Sequence, residues 1–230
     1  MSQVSLISIT KPEGMDISHE EYIAYIARVS NPENQHNHET SGRLLKYLIE
    51  HKHWSPFEFV DVTFQIQTRR SIAAQILRHR SFSFQEFSQR YSEATEIEPI
   101  EIREQAHKNR QSSSQIIDPV VKVYRSIGYA NEIIGDHFKH SMQLYEALLK
   151  AGVAREVARD VLPLATATTL YMKGSVRSWI HYLQLRLAPD TQKEHREIAH
   201  QILTRFTSHF PIIGDMLLQE NLDHIYNLEK

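Results

Sequence analysis

The chain has 230 residues, 41% apolar and 23% charged, with a formal net charge of -2 and no cysteine. That length can bury a substantial core, the charge balance supplies no basic field for nucleic acid or an anionic membrane, and the missing thiols exclude disulfides, thiolate metal sites and cysteine nucleophiles. No basic and apolar leader opens the sequence and no apolar run reaches the roughly 18–20 residues of a membrane span, so a cytoplasmic protein is expected.

In chain order, Val4, Leu6, Ile7 and Ile9 predict a first strand. Ser18 and Glu21 have capping-box spacing ahead of a helix carrying Tyr22, Ile23, Tyr25, Ile26 and Val29. Residues 31–40 are polar and read as a loop, and Leu44, Leu45, Leu48 and Ile49 mark the next helix. The clearest strand follows, where Val60, Val62, Phe64 and Ile66 alternate with Asp61, Thr63, Gln65 and Gln67. Ser71 is placed as the cap of a helix through Ile72, Ala73, Ile76 and Leu77.

Residues 81–92 show no clean period and read as an ordered loop with local helical turns. Residues 97–102 are expected to form a short strand, and 103–115, the most polar segment, a mobile insertion. Asp118-Pro119 is expected to start a helix running to Gly152, its C-cap, with Gly128 and Gly135 as points of interruption. A helix from Ala154 to Val161 stops before Pro163, and 166–172 is β-like. Ser175 is placed as the cap of a helix burying Val176, Trp179, Ile180 and Leu183, and a last helix carries Ile198, Ile202, Leu203 and Phe206. This mixed order predicts an α+β fold, a mixed or antiparallel sheet packed by helices, in a single domain over residues 1–230.

Histidine is frequent, at 14. The pairs His36/His38 and His51/His53 would place two rings on one face if they lay in strands. No carboxylate accompanies them in a metal-binding pattern, so no metal ligand is assigned.

The chemically dense segment is RHRSFSFQEFSQRY, Arg78 to Tyr91. Arg78, His79, Arg80 and Arg90 surround Ser81, Ser83, Gln85, Glu86 and Ser88, and guanidinium forks bind phosphate in bidentate fashion. Gln75 lies one turn before Arg78 and His79, so the three can share a helix face. The residues alone also fit a solvated polar turn in which Glu86 pairs with Arg90. Arg186 sits between Leu185 and Leu187; a partly buried arginine needs an anionic partner, which substrate or a core carboxylate could supply. Arg177, His181 and Gln184 fall on one polar helix face.

Arg78, His79, Arg80 and Ser88 stand at the spacing of the RHR-x7-S signature, and the chain resembles the flavin-dependent thymidylate synthase (ThyX) family. HKHWSPFEF (His51 to Phe59), AREVARDVLPL (Ala154 to Leu164) and SVRSWIHYLQLRL (Ser175 to Leu187) resemble further family segments in the same order. The resemblance covers roughly residues 40–205. Gln85 stands where many members have Asn, and Phe59, where His is common, is given no role.

The resemblance implies that Ser55, Arg78, His79, Arg80, Glu86, Ser175, Arg177 and His181 hold FAD, with His53 near flavin and folate. Gln75, Arg78, Glu86, Ser88, Gln89, Arg90, Arg159 and Arg186 would surround dUMP. It implies reductive methylation of dUMP to dTMP, with 5,10-methylenetetrahydrofolate as carbon donor and FAD reduced by NADPH as hydride source, in a homotetramer. Arg186 is the expected catalytic group, a fixed cation favouring the N3-ionised uracil and so enriching C5. No Gly-rich nicotinamide fingerprint appears.

Two other readings compete. A flavin oxidase or reductase would consume NADPH without forming dTMP. A nucleic-acid module would stack bases on Phe82, Phe84 and Phe87, against which stand the negative net charge and Glu86.

Overall fold

A computed structural model of the chain describes residues 2–94, 96–107 and 109–228, with side chains described up to residue 219. The fold is α+β. A four-stranded sheet runs in the order β1-β2-β8-β3, from Gln3–Ile9 (β1), Asp61–Arg69 (β2), Ser83–Glu86 (β3) and Ala167–Ser175 (β8), with two further two-stranded hairpins. The chain divides into two compact units, one formed by Ser2–Ile66, Leu77–Gln85 and Tyr171–Lys230, the other centred on Gln67–Ile76 and Glu86–Leu170.

The first unit carries most of the apolar core. Strand β2 shows the expected alternation, with Val62, Phe64 and Ile66 buried. Helix α1 (His19–Ala27) starts at the anticipated capping box, Ser18 accepting from the Glu21 N–H and Glu21 reaching back to the Ser18 N–H. Helix α2 (Ser41–Glu50) buries Leu45, Leu48 and Ile49. Ser175 caps α6 (Val176–Arg186), accepting from the Ser178 N–H at 3.4 Å. Helix α7 (Lys193–Thr207) buries Ile198, Ile202, Leu203 and Phe206.

It is not the last helix: α8 (Pro211–Leu228) follows. Pro211 suits its first position, but the cap comes from elsewhere. The buried Glu20 carboxylate, on α1, accepts from the Ile213 N–H at 2.9 Å.

Gly174, in β8, faces the Phe82 ring so closely that a Cβ would come within 2.5 Å of it. Gly174→Ala is therefore expected to cost about 1–3 kcal/mol through overpacking. A lowered unfolding midpoint would show it, whereas an unchanged midpoint would mean that Phe82 swings aside freely.

The second unit differs more from expectation. Helix α3 (Arg70–Ile76) starts one residue before Ser71, and the Arg70 and Ser71 N–H groups donate to the carbonyls of Thr166 and Leu164. The backbone of the neighbouring segment, not a serine hydroxyl, thus satisfies this helix end. Within 97–102, Ile97 forms only an isolated bridge to Thr166. The polar stretch 103–115 contributes an antiparallel hairpin, β4 (Arg103–Gln105) with β5 (Ser113–Ile116).

Asp118-Pro119 leads not into a helix but into a second hairpin, β6 (Val120–Val123) with β7 (Ser126–Tyr129). Helix α4 (Ala130–Lys150) begins only after it. The dipeptide still serves that helix, since Asp118 Oδ1 accepts from the Asn131 N–H and the Pro119 carbonyl from the Ala130 N–H, each at 2.9 Å. Gly135 lies within α4 without breaking it, and Gly152 follows its end at φ +85. Ala94, Tyr145 and Ala158 form a small core, with the Tyr145 hydroxyl accepting from the Ala94 N–H at 3.2 Å.

Candidate active site

In the first unit, the segment Leu77–Gln85, the start of α6 and the 3-10 turn Ser55–Phe59 carry the polar residues. The expected loop contains strand β3, so its side chains alternate: Ser83 and Gln85 are exposed, Phe84 and Glu86 half-buried. Phe82 packs edge-on to Trp179, with ring centroids 4.7 Å apart, and the Ser178 hydroxyl donates to the Ser81 carbonyl at 3.2 Å. Phe82 is thereby committed to the core, which removes one of the three rings that a base-stacking surface would need.

These anchors leave Arg78 and Arg80 exposed on either side of the half-buried His79, and neither guanidinium has a hydrogen bond or ion pair among the described residues. Two uncommitted guanidiniums fit the diphosphate of a dinucleotide such as FAD. Ser55 and His53 are exposed, and His181 packs edge-on to Trp54 at 4.6 Å. Arg177 donates to Glu58 Oε1 at 2.7 Å. Burial pushes the Glu58 carboxyl up, but hydrogen bonds from Ser175 and Arg177 and the Arg177 charge outweigh it and hold the group below its ordinary value. Glu58 was given no role from sequence; its place in SPFEF, beside Ser55, was the available signal.

Arg186, at the end of α6, is half-buried, and its Nε–H donates to His79 Nε2 at 3.0 Å. Its partner is thus an imidazole, where the sequence had offered substrate or a carboxylate. Burial first, and the Arg186 charge second, push His79 down to about 4, so at neutral pH the ring is uncharged and able to accept.

The second unit holds Gln75, Glu86, Ser88, Gln89, Arg90 and Arg159. A cavity of about 430 Å³ is lined by Arg70, Gln89, Arg159, Asp160 and Leu162 to Leu164. Gln89 is 3% exposed, and its Nε2 is buried with no hydrogen-bond partner. Such an amide donor is costly to leave unmatched. Arg159 is held by its Nε–H donating to the Glu156 carbonyl at 3.2 Å, with Asp160 Oδ1 at 3.9 Å.

Glu86 accepts from the Thr168 hydroxyl at 2.9 Å and lies 3.8 Å from Arg70. Arg70 was not anticipated; its trace in the sequence is the Arg69-Arg70 doublet where β2 gives way to α3. Arg90 pairs with Glu156 at 3.2 Å on the surface, not with Glu86. Ser88 Oγ accepts from the Arg90 N–H at 3.4 Å, so that N–H is engaged locally. Gln75 is half-buried on α3.

The residues that the resemblance gave to FAD therefore fall in the first unit, except Glu86. Those it gave to dUMP fall in the second, except Arg78 and Arg186. The His51/His53 pair lies outside any strand: His51 stacks on Tyr47 with centroids 4.0 Å apart. Among the described residues no group of three or more His, Cys, Asp or Glu is placed to hold a metal ion. No helix among them is long and apolar enough to cross a membrane.

Residues 15–212 match the family model described as thymidylate synthase complementing protein. A flavin-dependent thymidylate synthase of Synechocystis sp. is 51% identical over 218 residues, covering 93% of this chain and 98% of that protein. A protein of Paramecium bursaria Chlorella virus 1, named a probable flavin-dependent thymidylate synthase, is 49% identical over 215 residues, covering 92% of this chain and 97% of the relative. Among solved structures, the UMP/dUMP methylase PolB of Streptomyces cacaoi bound with 5-Br dUMP has the same fold, with a TM-score of 0.73 at 24% identity and 94% of both chains covered.

Proposed function

The chain belongs to the flavin-dependent thymidylate synthase family, and from that premise we propose that it carries out the reductive methylation of dUMP to dTMP with FAD, NADPH and 5,10-methylenetetrahydrofolate. The observation that carries this reading is the cavity where the unpartnered Gln89 amide is flanked by Arg70 and Arg159. One buried neutral donor and two guanidiniums suit an anionic nucleotide.

Methylation at C5 of uracil needs electron density there. With no cysteine in the chain, a thiolate attack at C6 is closed, and the activation must be electrostatic. Arg186 supplies it: a fixed cation at N3/O2 favours the ionised pyrimidine and enriches C5. Arg159, Arg70, Gln89 and Arg90 bind and orient the nucleotide, with Gln75, Ser88 and Glu86. Arg78 and Arg80, with Ser55, His53, Ser175, Arg177 and His181, hold FAD, which when reduced supplies the hydride. Residues 1–230 act as one catalytic domain, in a cytoplasmic homotetramer.

The test is an anaerobic reaction of the purified protein with FAD, NADPH, dUMP and methylenetetrahydrofolate, read by mass spectrometry. Folate- and nicotinamide-dependent dTMP is the expected result. Flavin oxidation without dTMP would replace the reading with that of a flavin oxidase. In the same assay Arg159→Ala is expected to raise KM for dUMP by about ten- to a hundredfold, the worth of one charge-assisted hydrogen bond; an unchanged KM would remove the cavity from the site.

A further inference from the structure

The middle histidine of the RHR segment, unlike the exposed arginines on either side of it, turns its ring to Arg186, whose Nε–H donates to His79 Nε2. That bond dictates a protonation state. Guanidinium has donors only, so His79 Nε2 must carry a lone pair, and the ring proton must sit on Nδ1. A charged or inverted His79 cannot accept from Arg186.

The surroundings of His79 enforce this state. Tyr182 presents its ring edge-on, with centroids 4.9 Å apart and planes at 69°. His195 stands perpendicular at 6.2 Å, and Phe82 perpendicular at 6.3 Å. Tyr182 is 1% exposed and His195 0%, so this side of His79 is dry. Behind it, Tyr182 OH and His195 Nε2 share a hydrogen bond of 3.1 Å, which fixes the phenol ring along α6 and the imidazole on α7. Burial first, and the Arg186 charge second, push His195 down to about 3, and burial pushes the Tyr182 phenol up. Both stay uncharged at neutral pH, and the cation they face is Arg186.

We propose that Tyr182 and His195 are positioning residues for Arg186: their hydrogen bond holds the rings that confine His79 to the neutral tautomer, and His79 in turn aims the guanidinium. The proposal rests on the reading of Arg186 as the activating cation, and it extends the functional constellation to two fully buried residues on α6 and α7. The arrangement is a rigid support of the kind that lets a site hold a charge within a fraction of an ångström, where a misplacement of about 1 Å can cost a hundredfold in rate.

Tyr182→Phe removes one oxygen and keeps the ring. It is expected to lower kcat for dTMP formation about tenfold while changing KM for dUMP less than twofold. His195→Gln, whose amide can still meet the phenol, is expected to stay within about threefold of the parent, and His195→Phe to match Tyr182→Phe. In an Arg186→Ala background, Tyr182→Phe should have no further effect, because the group it positions is gone; a multiplicative loss there would show a general structural defect and overturn the proposal.

A second readout needs no turnover. The Arg186 Nε–H, observed by ¹⁵N NMR of arginine-labelled protein and assigned by its loss in Arg186→Ala, should exchange with solvent at least tenfold faster in Tyr182→Phe and His195→Phe. Faster exchange in a protein that forms no dTMP would keep the positioning and sink the proposed reaction. Unchanged exchange with full activity in Tyr182→Phe would sink the positioning and keep the reaction.

Discussion

Arg186→Ala is expected to retain its flavin and to lose about 100- to 1,000-fold in the rate of dTMP formation, the usual effect of removing one preorganised charge from a reacting group. The size follows from the confinement of the side chain. Arg186 is half-buried, ends α6 and is tied to an uncharged imidazole, so its full charge is left for whatever lies beyond. A carboxylate in place of His79 would neutralise much of that charge; an imidazole aims the guanidinium and leaves it a cation. Arg186→Lys is not expected to restore the rate, because an ammonium lacks the Nε–H that meets His79 and the planar fork. Single-turnover kinetics with bound FAD measure the effect. Near-parental turnover in Arg186→Ala would remove this residue from the chemistry, and loss of flavin from the variant would assign it to cofactor binding.

The second large effect concerns stability. Trp179→Ala is expected to cost about 3–5 kcal/mol, as for other buried aromatic truncations, and so to lower Tm by roughly ten degrees. Trp179 is fully buried, meets Phe64, Phe82 and Tyr182 edge-on with centroids at 5.0, 4.7 and 5.6 Å, and donates from its indole N–H to the Val62 carbonyl at 3.1 Å. Truncation opens a cavity and also strips that carbonyl of a partner. Trp179→Phe should fall between parent and alanine, keeping most of the packing but not the hydrogen bond. Since Phe82 and Tyr182 flank both Trp179 and His79, the alanine variant should also show a lower kcat at temperatures where it remains folded. Differential scanning calorimetry checks the first effect; a midpoint within two or three degrees of the parent would show that the three neighbouring rings collapse into the space.

Signals that are local in sequence were legible, and those that depend on distant partners were not. Alternation in β2, the Ser18/Glu21 box, the Ser175 cap and Gly152 are short-range patterns, and each is present. Helix α8 had only Pro211 as a local start signal, and the side chain that caps it, Glu20, lies 193 positions from the Ile213 N–H it meets. The start of α3 was displaced because Leu164 and Thr166 carbonyls replace a capping side chain. The β6–β7 hairpin escaped because Val120, Val123, Ile127 and Tyr129 are all exposed, so its strands bury no alternating face for a period to reveal. In the site, Arg78, His79 and Arg80 stood out as a cluster, but the bond from Arg186 to His79 spans 107 positions. Nothing in either segment alone distinguishes a histidine aimed at an arginine from one aimed at a ligand.

The way α4 begins has a consequence for how this protein can change. The hairpin from Val120 to Tyr129 leaves and returns at points joined by two hydrogen bonds, from the Ala130 N–H to the Pro119 carbonyl and from the Asn131 N–H to Asp118 Oδ1. Its ends are already held together, so closing a shorter or longer connection across them carries little added entropy. The ribbon is therefore a cassette: it can be trimmed to a tight turn, lengthened or exchanged for a tag while the helix keeps both its cap and its register. Evolution has the same freedom, and length variation within the family should collect at this joint and spare the helix that follows it.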